Sequence, residues 1–254
     1  MNWGACCLVA LGCGLGAIDT LAANVANAPA DARRSGFEDM APATQAMQRD
    51  DAANPAWLWL KDGEQRFAAD CARCHRAQSM VGVAARYPAF DEHSQWPLSL
   101  GARIAACQAR HVSATPLAPE SPERLALETY VAHASRGMAI APPPDARLDP
   151  WRARGRVLFE LRIGQLDLSC AICHERAAGQ RLGGSTIPQA HPTGYPIYRL
   201  QWQGMGSLQR RLRGCMVGVR AEPFAPDSEE FTALELYLMQ RAAGMPLEAP
   251  AVRP

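Results

Sequence analysis

The sequence predicts an all-α protein built from two similar halves. Three observations support this prediction: the chain repeats its landmarks at long range, helix start and stop signals surround those landmarks, and a proline-rich stretch separates the copies. With 254 residues, 48% of them hydrophobic and 20% charged, the chain can form one large or two ordinary domains with real cores. Its formal net charge of +1 provides no overall attraction to nucleic acid or to a membrane surface.

The first residues have the pattern of a leader peptide. Residues 5–18 form a compact apolar run that ends at Asp19, short of the roughly 20 residues needed to span a bilayer. A small-x-small site, Ala-Asn-Ala, follows at residues 26–28. We therefore predict a secretory signal peptide over residues 1–28, no membrane span, and a mature protein that works in the periplasm.

The repeat aligns the two halves over most of the chain, and its period is one domain rather than a short solenoid unit. It therefore predicts two domains related by internal duplication. The matching landmarks are Tyr87-Pro88 with Tyr195-Pro196, Trp96 with Trp202, Cys107 with Cys215, Leu127-Glu128 with Leu234-Glu235, and Gly137-Met138 with Gly244-Met245.

Each half contains a helix with recognisable ends. In the first half, Ser121 is the predicted N-cap, Pro122 takes the first helical position and Gly137 stops the helix. In the second half, Asp227 is the predicted N-cap of a capping box, with an acidic residue three positions later, and Gly244 is the stop.

A stiff segment separates the two copies. Residues 141–145 read Ala-Pro-Pro-Pro-Asp, and consecutive prolines cannot continue a helix. The predicted organisation is a leader over residues 1–28, an N-terminal domain over 50–144 and a C-terminal domain over 145–254.

Cysteine spacing indicates the cofactor. Four of the six cysteines after the leader lie in two C-x-x-C-H motifs, which is the attachment signature of c-type haem. A zinc ribbon would pair its C-x-x-C knuckles across a short loop, and a thioredoxin-like redox pair would need a βαβ pattern. We therefore predict two covalently bound haem c groups and two cytochrome c-like domains. The attachment residues are Cys71, Cys74 and His75 in the first half and Cys170, Cys173 and His174 in the second.

The lone cysteine that follows each motif, Cys107 or Cys215, is a candidate for the sixth iron ligand. A thiolate there would lower the haem potential well below that of a methionine-ligated haem. Met138 and Met245, just past the helix stops, are the alternative ligands. Two further possibilities stay open for the cysteines: a disulfide between the domains and an inert place in the core.

The two halves differ in charge. Between Arg176 and Ala221 there are seven arginines and no aspartate or glutamate, whereas the matching part of the first half carries acidic residues. Four of these arginines bracket Cys215 in the sequence. Because cationic neighbours favour a thiolate and attract small dianions, the second half is predicted to be the reactive one and the first an electron store.

Several motifs of the second half resemble the SoxA family, the dihaem subunit of the SoxAX cytochrome of periplasmic sulfur oxidation. They are Gly183-Gly184-Ser185 through Tyr195-Pro196, Gly206 to Gln209, Arg211 to Cys215 and Val219 to Ala221. The resemblance implies that His75 and Cys107 ligate the first haem iron, and that His174 and Cys215 ligate the second. It also implies that Cys215 carries a catalytic persulfide and that Arg211 binds the substrate.

The resemblance further implies the reaction and the partners. Thiosulfate would be joined oxidatively to a cysteine of the SoxYZ carrier protein, giving an S-thiosulfonate, and two electrons would pass through haem to a c-type cytochrome acceptor. The chain would form a heterodimer with a SoxX-type monohaem cytochrome. Two other functions stay open: a dihaem thiosulfate dehydrogenase that makes tetrathionate, and a plain electron-transfer cytochrome. A dihaem peroxidase is disfavoured because each distal site has a candidate ligand.

Overall fold

The structure, a computed structural model, describes Met1 and residues 32–112 and 115–254. Apart from Met1, the predicted signal peptide lies outside these residues. The α-helices described are α1 (Pro42–Arg49), α2 (Ala56–Arg66), α3 (Leu100–His111), α4 (Pro122–His133), α5 (Asp149–Glu160), α6 (Leu208–Gly218) and α7 (Glu229–Arg241). Short strands accompany them: β1 (Ala89–Asp91), β2 (Trp96–Leu98), β3 (Arg181–Leu182), β4 (Ser185–Thr186), β5 (Ile197–Arg199), β6 (Gly204–Gly206) and β7 (Ala251–Arg253).

The described residues are largely helical, as the sequence predicts, and the short strands are an addition to that prediction. They form two antiparallel two-stranded sheets, β1–β2 and β3–β4, and a three-stranded sheet in which β5 lies between β6 and β7. Within the described part of the chain, no helix is both long and apolar enough to cross a membrane.

Two helix pairs are packed in the same way, α2 against α4 and α5 against α7. Each pair approaches closely at a glycine. A Cβ atom on Gly63 would lie 2.1 Å from the carbonyl oxygen of Ala126, and one on Gly155 would lie 2.0 Å from the carbonyl oxygen of Ala233. Because backbone cannot move away as a flexible side chain can, only glycine fits at either position.

Replacing Gly155 with alanine is therefore expected to destabilise the protein by about 1–3 kcal/mol, the usual cost of an overpacked contact. The measurement is chemical denaturation of wild type and variant. Gly214→Ala is the matched control, because Gly214 lies in α6 with nothing within 4 Å of an added Cβ. That control should be neutral or slightly stabilising. If Gly155→Ala is as stable as wild type, the contact between α5 and α7 is less close than the structure shows.

A hairpin positions each cysteine-bearing helix. β1 pairs with β2 and β5 with β6, and each hairpin leads directly into the next helix, α3 or α6. Ser99 and Ser207 cap these helices, each accepting a hydrogen bond from the backbone N–H three residues later. Cys107 and Cys215 both lie eight residues after their cap, so the two hairpins place them equivalently.

The predicted helix ends are partly confirmed. Ser121 caps α4, with Pro122 in the first turn, and Gly137 and Gly244 follow α4 and α7 with φ angles of 80° and 84°. The capping box at Asp227 is wrong: Ser228 is the N-cap of α7 and accepts a hydrogen bond from the backbone N–H of Phe231. The carboxylate of Asp227 binds a distant arginine instead, an interaction that a local pattern cannot reveal.

The two halves share a core. Residues 34–254 form one compact unit, and a single hydrophobic cluster draws side chains from both sides of the proline-rich stretch. Leu247 reaches back to the end of the first half, because its N–H donates to the carbonyl of Met138 at 2.9 Å and its carbonyl accepts from Gly137 N–H at 2.7 Å. The members of the cluster are Ala84, Ala132, Ile140, Met239, Ala242, Met245, Leu247 and Ala249.

A small cavity of about 70 Å³ between the halves is lined by charged groups. Arg124 forms a two-pronged ion pair with Asp227, with N–O distances of 2.6 and 2.7 Å. Glu128 and Glu235, which the repeat aligns, also face this cavity. Burial raises the pKa of Glu128 to about 7 and that of Glu235 to about 8, so both carboxyls hold their protons well above the usual range.

These raised pKa values predict that the protein becomes less stable as pH rises. Between pH 4.5 and 8 the unfolded chain ionises Glu235 while the folded chain keeps the proton, so folding stability falls across that window. Glu235→Gln should weaken this dependence and gain at least about 1 kcal/mol over wild type between pH 5 and pH 9. Denaturation curves at both pH values test it, with the exposed Glu64→Gln as control. Parallel pH dependence in Glu235→Gln and wild type would contradict the assignment.

Candidate functional site

A cleft of about 680 Å³, formed by the second half and by residues between 36 and 44, brings together His174, Arg211 and Cys215. Its volume is within the range of cofactor and small-molecule sites. Apolar side chains such as Leu212 and Leu238 form part of its wall. The three residues that the sequence singled out thus face one space.

His174 is oriented by a backbone contact. It lies in a π-helical turn, Ile172–Arg176, and its Nδ1 is 2.7 Å from the carbonyl oxygen of Pro188. Since a carbonyl only accepts hydrogen bonds, Nδ1 carries the proton and Nε2 is left with a free lone pair, the usual arrangement of a metal-ligating histidine. Burial lowers the pKa of His174, and the positive charges of Arg211 and Arg241 lower it further, which favours the neutral ring.

Cys215 lies near the attachment motif. It is half-buried in α6, and its charge helps to raise the pKa of Cys170 to about 11, after the larger effect of burial. The histidine of the motif lines the same cleft. Two thiols for thioether bonds, an imidazole with a free Nε2 and a facing thiol fit a covalently attached haem c.

The first half repeats part of this arrangement. Burial raises the pKa of Cys71 to about 11, and the charges of Asp70 and Cys107 add to that rise, so the lone cysteine of α3 lies near the first attachment motif. A hydrogen bond of 3.2 Å from Gln108 Nε2 to Asp70 Oδ2 joins α3 to that segment. His75 is exposed, and its pairing with Cys107 on iron stays a prediction.

The alternatives for the sixth ligand differ in their surroundings. Met245 is buried in the shared core, whereas Met138 is exposed, with its methyl group beside Gly82. Cys107 and Cys215 are both free thiols, so no disulfide joins them here. The surroundings of Cys215 therefore favour thiolate ligation in the second half over ligation by Met245.

Only one of the four arginines that bracket Cys215 in the sequence lines the cleft, and that residue is Arg211. Arg210 turns away and lies over the ring of Trp202 at 4.2 Å, and Arg213 and Arg220 are exposed. The prediction that four arginines act together at this cysteine is therefore too broad, because helical spacing points their side chains in different directions.

Arg211 lies four residues before Cys215, and the same spacing occurs in the first half, where Arg103 precedes Cys107. There the guanidinium is neutralised: Arg103 Nη1 lies 2.5 Å from Asp91 Oδ1. In the described part of the chain, no carboxylate lies within 4 Å of the Arg211 guanidinium. The arginine of the second half is therefore free to bind an anion, which its counterpart is not.

Tyr195 is a cleft residue that the sequence indicated as a repeat landmark and as part of a family motif, without a role in the site. It lines the cleft, and burial raises the pKa of its hydroxyl to about 12, with Cys215 raising it further and Arg211 opposing the rise. The hydroxyl therefore stays protonated near the cysteine and can donate a hydrogen bond in the cleft.

Comparison with known proteins gives consistent matches. The family model for the SoxA/TsdA cytochrome c domain matches residues 56–140 and 154–247. The L-cysteine S-thiosulfotransferase subunit SoxA of Pseudaminobacter salicylatoxidans is 34% identical over 235 residues, covering 89% of this chain and 82% of the relative. The corresponding subunit of Paracoccus pantotrophus is 33% identical over 227 residues, covering 86% and 78%.

A solved structure matches as well. A chain of the crystal structure of SoxXA from P. pantotrophus superposes with a TM-score of 0.84 and 32% sequence identity. The match covers 87% of this chain and 87% of that one. Fold and sequence thus agree over nearly the same extent.

Proposed function

Because this chain belongs to the SoxA family of cytochromes c, we propose that it is the dihaem subunit of an L-cysteine S-thiosulfotransferase. In this proposal it joins thiosulfate oxidatively to a cysteine of a SoxYZ carrier protein. The observation that carries the proposal is the single cleft shared by His174, Arg211 and Cys215.

The proposal includes two covalently bound haem c groups. Cys71 and Cys74 would hold the first and Cys170 and Cys173 the second, with iron ligated by His75 and Cys107 in one half and by His174 and Cys215 in the other. The haem, when bound, supplies a one-electron acceptor beside the reacting sulfur. Cys215 would carry a persulfide, and the outer sulfur of that group would extend into the cleft.

The chain's own residues account for substrate binding and orientation. Arg211 can hold the sulfonate end of thiosulfate through two parallel hydrogen bonds, which leaves the sulfane sulfur free to approach Cys215. The Tyr195 hydroxyl, which stays protonated, can donate a hydrogen bond to an oxygen or sulfur of the bound anion.

The overall reaction balances as a two-electron oxidation. The carrier thiol loses its proton, one S–S bond forms between its sulfur and the sulfane sulfur of thiosulfate, and two electrons leave to a c-type cytochrome acceptor. No bond of the sulfonate group breaks. The product is the carrier cysteine S-thiosulfonate.

The wider setting is also part of the proposal. We expect a heterodimer with a SoxX-type monohaem subunit, export to the periplasm by the 1–28 leader, and two duplicated domains over residues 50–144 and 145–254. Support for the duplication comes from the matching hairpins, caps and glycine contacts of the two halves.

The experiment uses the haem-loaded complex with SoxX, thiosulfate, a c-type cytochrome and SoxYZ. Acceptor reduction that requires the carrier, together with a thiosulfonate adduct in the carrier's mass spectrum, supports the proposal. Tetrathionate formation without carrier would indicate a thiosulfate dehydrogenase instead. Haem groups that exchange electrons with the acceptor but produce neither product would indicate a plain electron carrier.

A further inference from the structure

The two halves carry opposite charges at one equivalent backbone position. Asp91 is the third residue of β1 and Arg199 the third residue of β5. Both strands begin two residues after the tyrosine of a Tyr-Pro pair. Each third residue pairs with the first residue of the following strand, Trp96 in one hairpin and Gly204 in the other. The structure therefore aligns Trp96 with Gly204, two residues away from the match with Trp202 that the sequence predicts. The hairpins therefore present Asp91 and Arg199 in the same way to the helix that follows.

In the first half, this position supplies a carboxylate partner for two arginines of the following helix. The Asp91 side chain is only 4% exposed and forms ion pairs with Arg103 at 2.5 Å and Arg110 at 2.9 Å. Hydrogen bonds from Ser94 add to these contacts, and together they hold the pKa of Asp91 far below its usual range. The Arg103 guanidinium, which corresponds to that of Arg211, thus already has an anionic partner.

In the second half, the charge reversal adds the guanidinium of Arg199 to the cleft that Arg211 lines, together with Arg181 and Arg253. Arg199 and Arg211 are both half-buried and both line it. Arg199 Nε donates to the backbone oxygen of Pro254, the last residue of the sequence, at 2.7 Å, and its guanidinium lies over the ring of Trp202 at 5.1 Å. Among residues 32–112 and 115–254, no aspartate or glutamate carboxylate lies within 4 Å of either guanidinium.

Two partly desolvated cations that face one space repel each other. Burial lowers the pKa of Arg199, and the charge of Arg211 lowers it further, so the two groups are close enough to interact. Such an arrangement is costly without a counterion, and it becomes favourable when an anion with several acceptor oxygens binds between the groups. Thiosulfate, with its three sulfonate oxygens and double negative charge, fits this requirement.

We propose that Arg199 is a second substrate-binding residue, which holds the sulfonate group of thiosulfate together with Arg211. This inference rests on the proposed function, because that function makes thiosulfate the ligand of the cleft. Two guanidinium forks can bind all three sulfonate oxygens and fix the direction of the sulfane sulfur, which a single fork cannot do. Discrimination against monoanions follows, since a single negative charge leaves the repulsion partly uncompensated.

The propionate groups of a bound haem are the other anionic groups that Arg199 could bind in this cleft. If Arg199 binds a propionate, its loss should change the haem potential. If it binds the substrate, its loss should change the affinity for thiosulfate. The two roles therefore differ in what an Arg199 variant changes, and both can be measured on the same preparation.

The test compares wild type, Arg199→Gln and Arg199→Lys as haem-loaded complexes with SoxX. Thiosulfate affinity is measured by calorimetry without carrier or electron acceptor, and haem potentials by redox titration. We expect thiosulfate binding to weaken about ten- to hundredfold in Arg199→Gln, the value of charge-assisted hydrogen bonds. Arg199→Lys should recover part of the loss, and both haem potentials should stay at their wild-type values.

Arg213→Gln is the matched control, because it removes the same charge from an exposed position of α6. It should leave the affinity unchanged. Unchanged affinity in Arg199→Gln would overturn the proposal, and so would a shift of the second haem potential without a change in affinity. Because binding is measured without turnover, a complex that binds thiosulfate through Arg199 but never modifies the carrier would refute the proposed function and leave this inference standing.

Discussion

Cys215→Ser is expected to abolish thiosulfate coupling, lowering turnover by at least about a thousandfold, as loss of an essential catalytic side chain does in other enzymes. The hydroxyl cannot form a persulfide, is not deprotonated at neutral pH, and is a poor replacement for a thiolate on haem iron. Carrier-dependent acceptor reduction measures the loss. The visible spectrum of the second haem should change with it, whereas that of the first haem should not.

Cys107→Ser is the matched control, because Cys107 occupies the equivalent position of α3, eight residues after the helix cap. This variant should change the spectrum of the first haem and retain most of the turnover, since its neighbouring arginine is already bound to Asp91. Equal losses in both variants would contradict the assignment of catalysis to the second half. Retained turnover in Cys215→Ser would contradict the role of its sulfur.

Arg211→Ala is expected to lower kcat/KM for thiosulfate by about ten- to a hundredfold while both haem spectra stay unchanged. The physical reason is that this guanidinium lines the cleft with Cys215 and has no carboxylate partner within the described residues. Steady-state kinetics over a range of thiosulfate concentrations gives the effect, and KM should rise because the lost contact binds the substrate itself.

Arg213→Ala provides the comparison for this variant. It lies two residues further along α6, is exposed and carries the same charge. Wild-type kinetics in Arg213→Ala with impaired kinetics in Arg211→Ala would separate a direct contact from the general positive potential of the helix. Equal effects of the two variants, or none in Arg211→Ala, would remove Arg211 from the substrate site.

Local sequence signals predicted those features whose cause is itself local. The cap at Ser121 depends on its own hydroxyl and the next turn, and the stops at Gly137 and Gly244 depend on a backbone that favours positive φ. Attachment cysteines are recognisable because two thioethers and a ligating histidine require fixed spacing. These requirements are visible in a few consecutive residues.

Features that depend on residues far apart in the sequence were either not predicted or predicted wrongly. Aspartate is a favoured N-cap residue, but the carboxylate of Asp227 pairs with Arg124, more than a hundred residues earlier in the chain. Arg103 has the same spacing to its cysteine as Arg211, and only the ion pair with Asp91 distinguishes the two sites. The sequence showed acidic residues in that part of the first half, and this signal could have identified the difference.

The strands were missed for another reason. Each has only two or three residues, too few to show the alternation that identifies a strand. The shared core also depends on contacts between the end of the first half and residues 245–249, which no local pattern describes. The sequence predicts His174, Arg211 and Cys215 as site residues, and the structure places all three on one cleft. The difference between the two halves depends on these longer-range contacts.

The mass of the tryptic peptide Gly214–Arg220, taken without reductant from protein matured in a periplasm, shows directly whether Cys215 carries a persulfide. We expect one additional sulfur atom on Cys215, as a catalytic persulfide requires. An unmodified thiol, found repeatedly under conditions that preserve persulfides, would contradict it and leave Cys215 as a haem ligand in an electron-transfer protein.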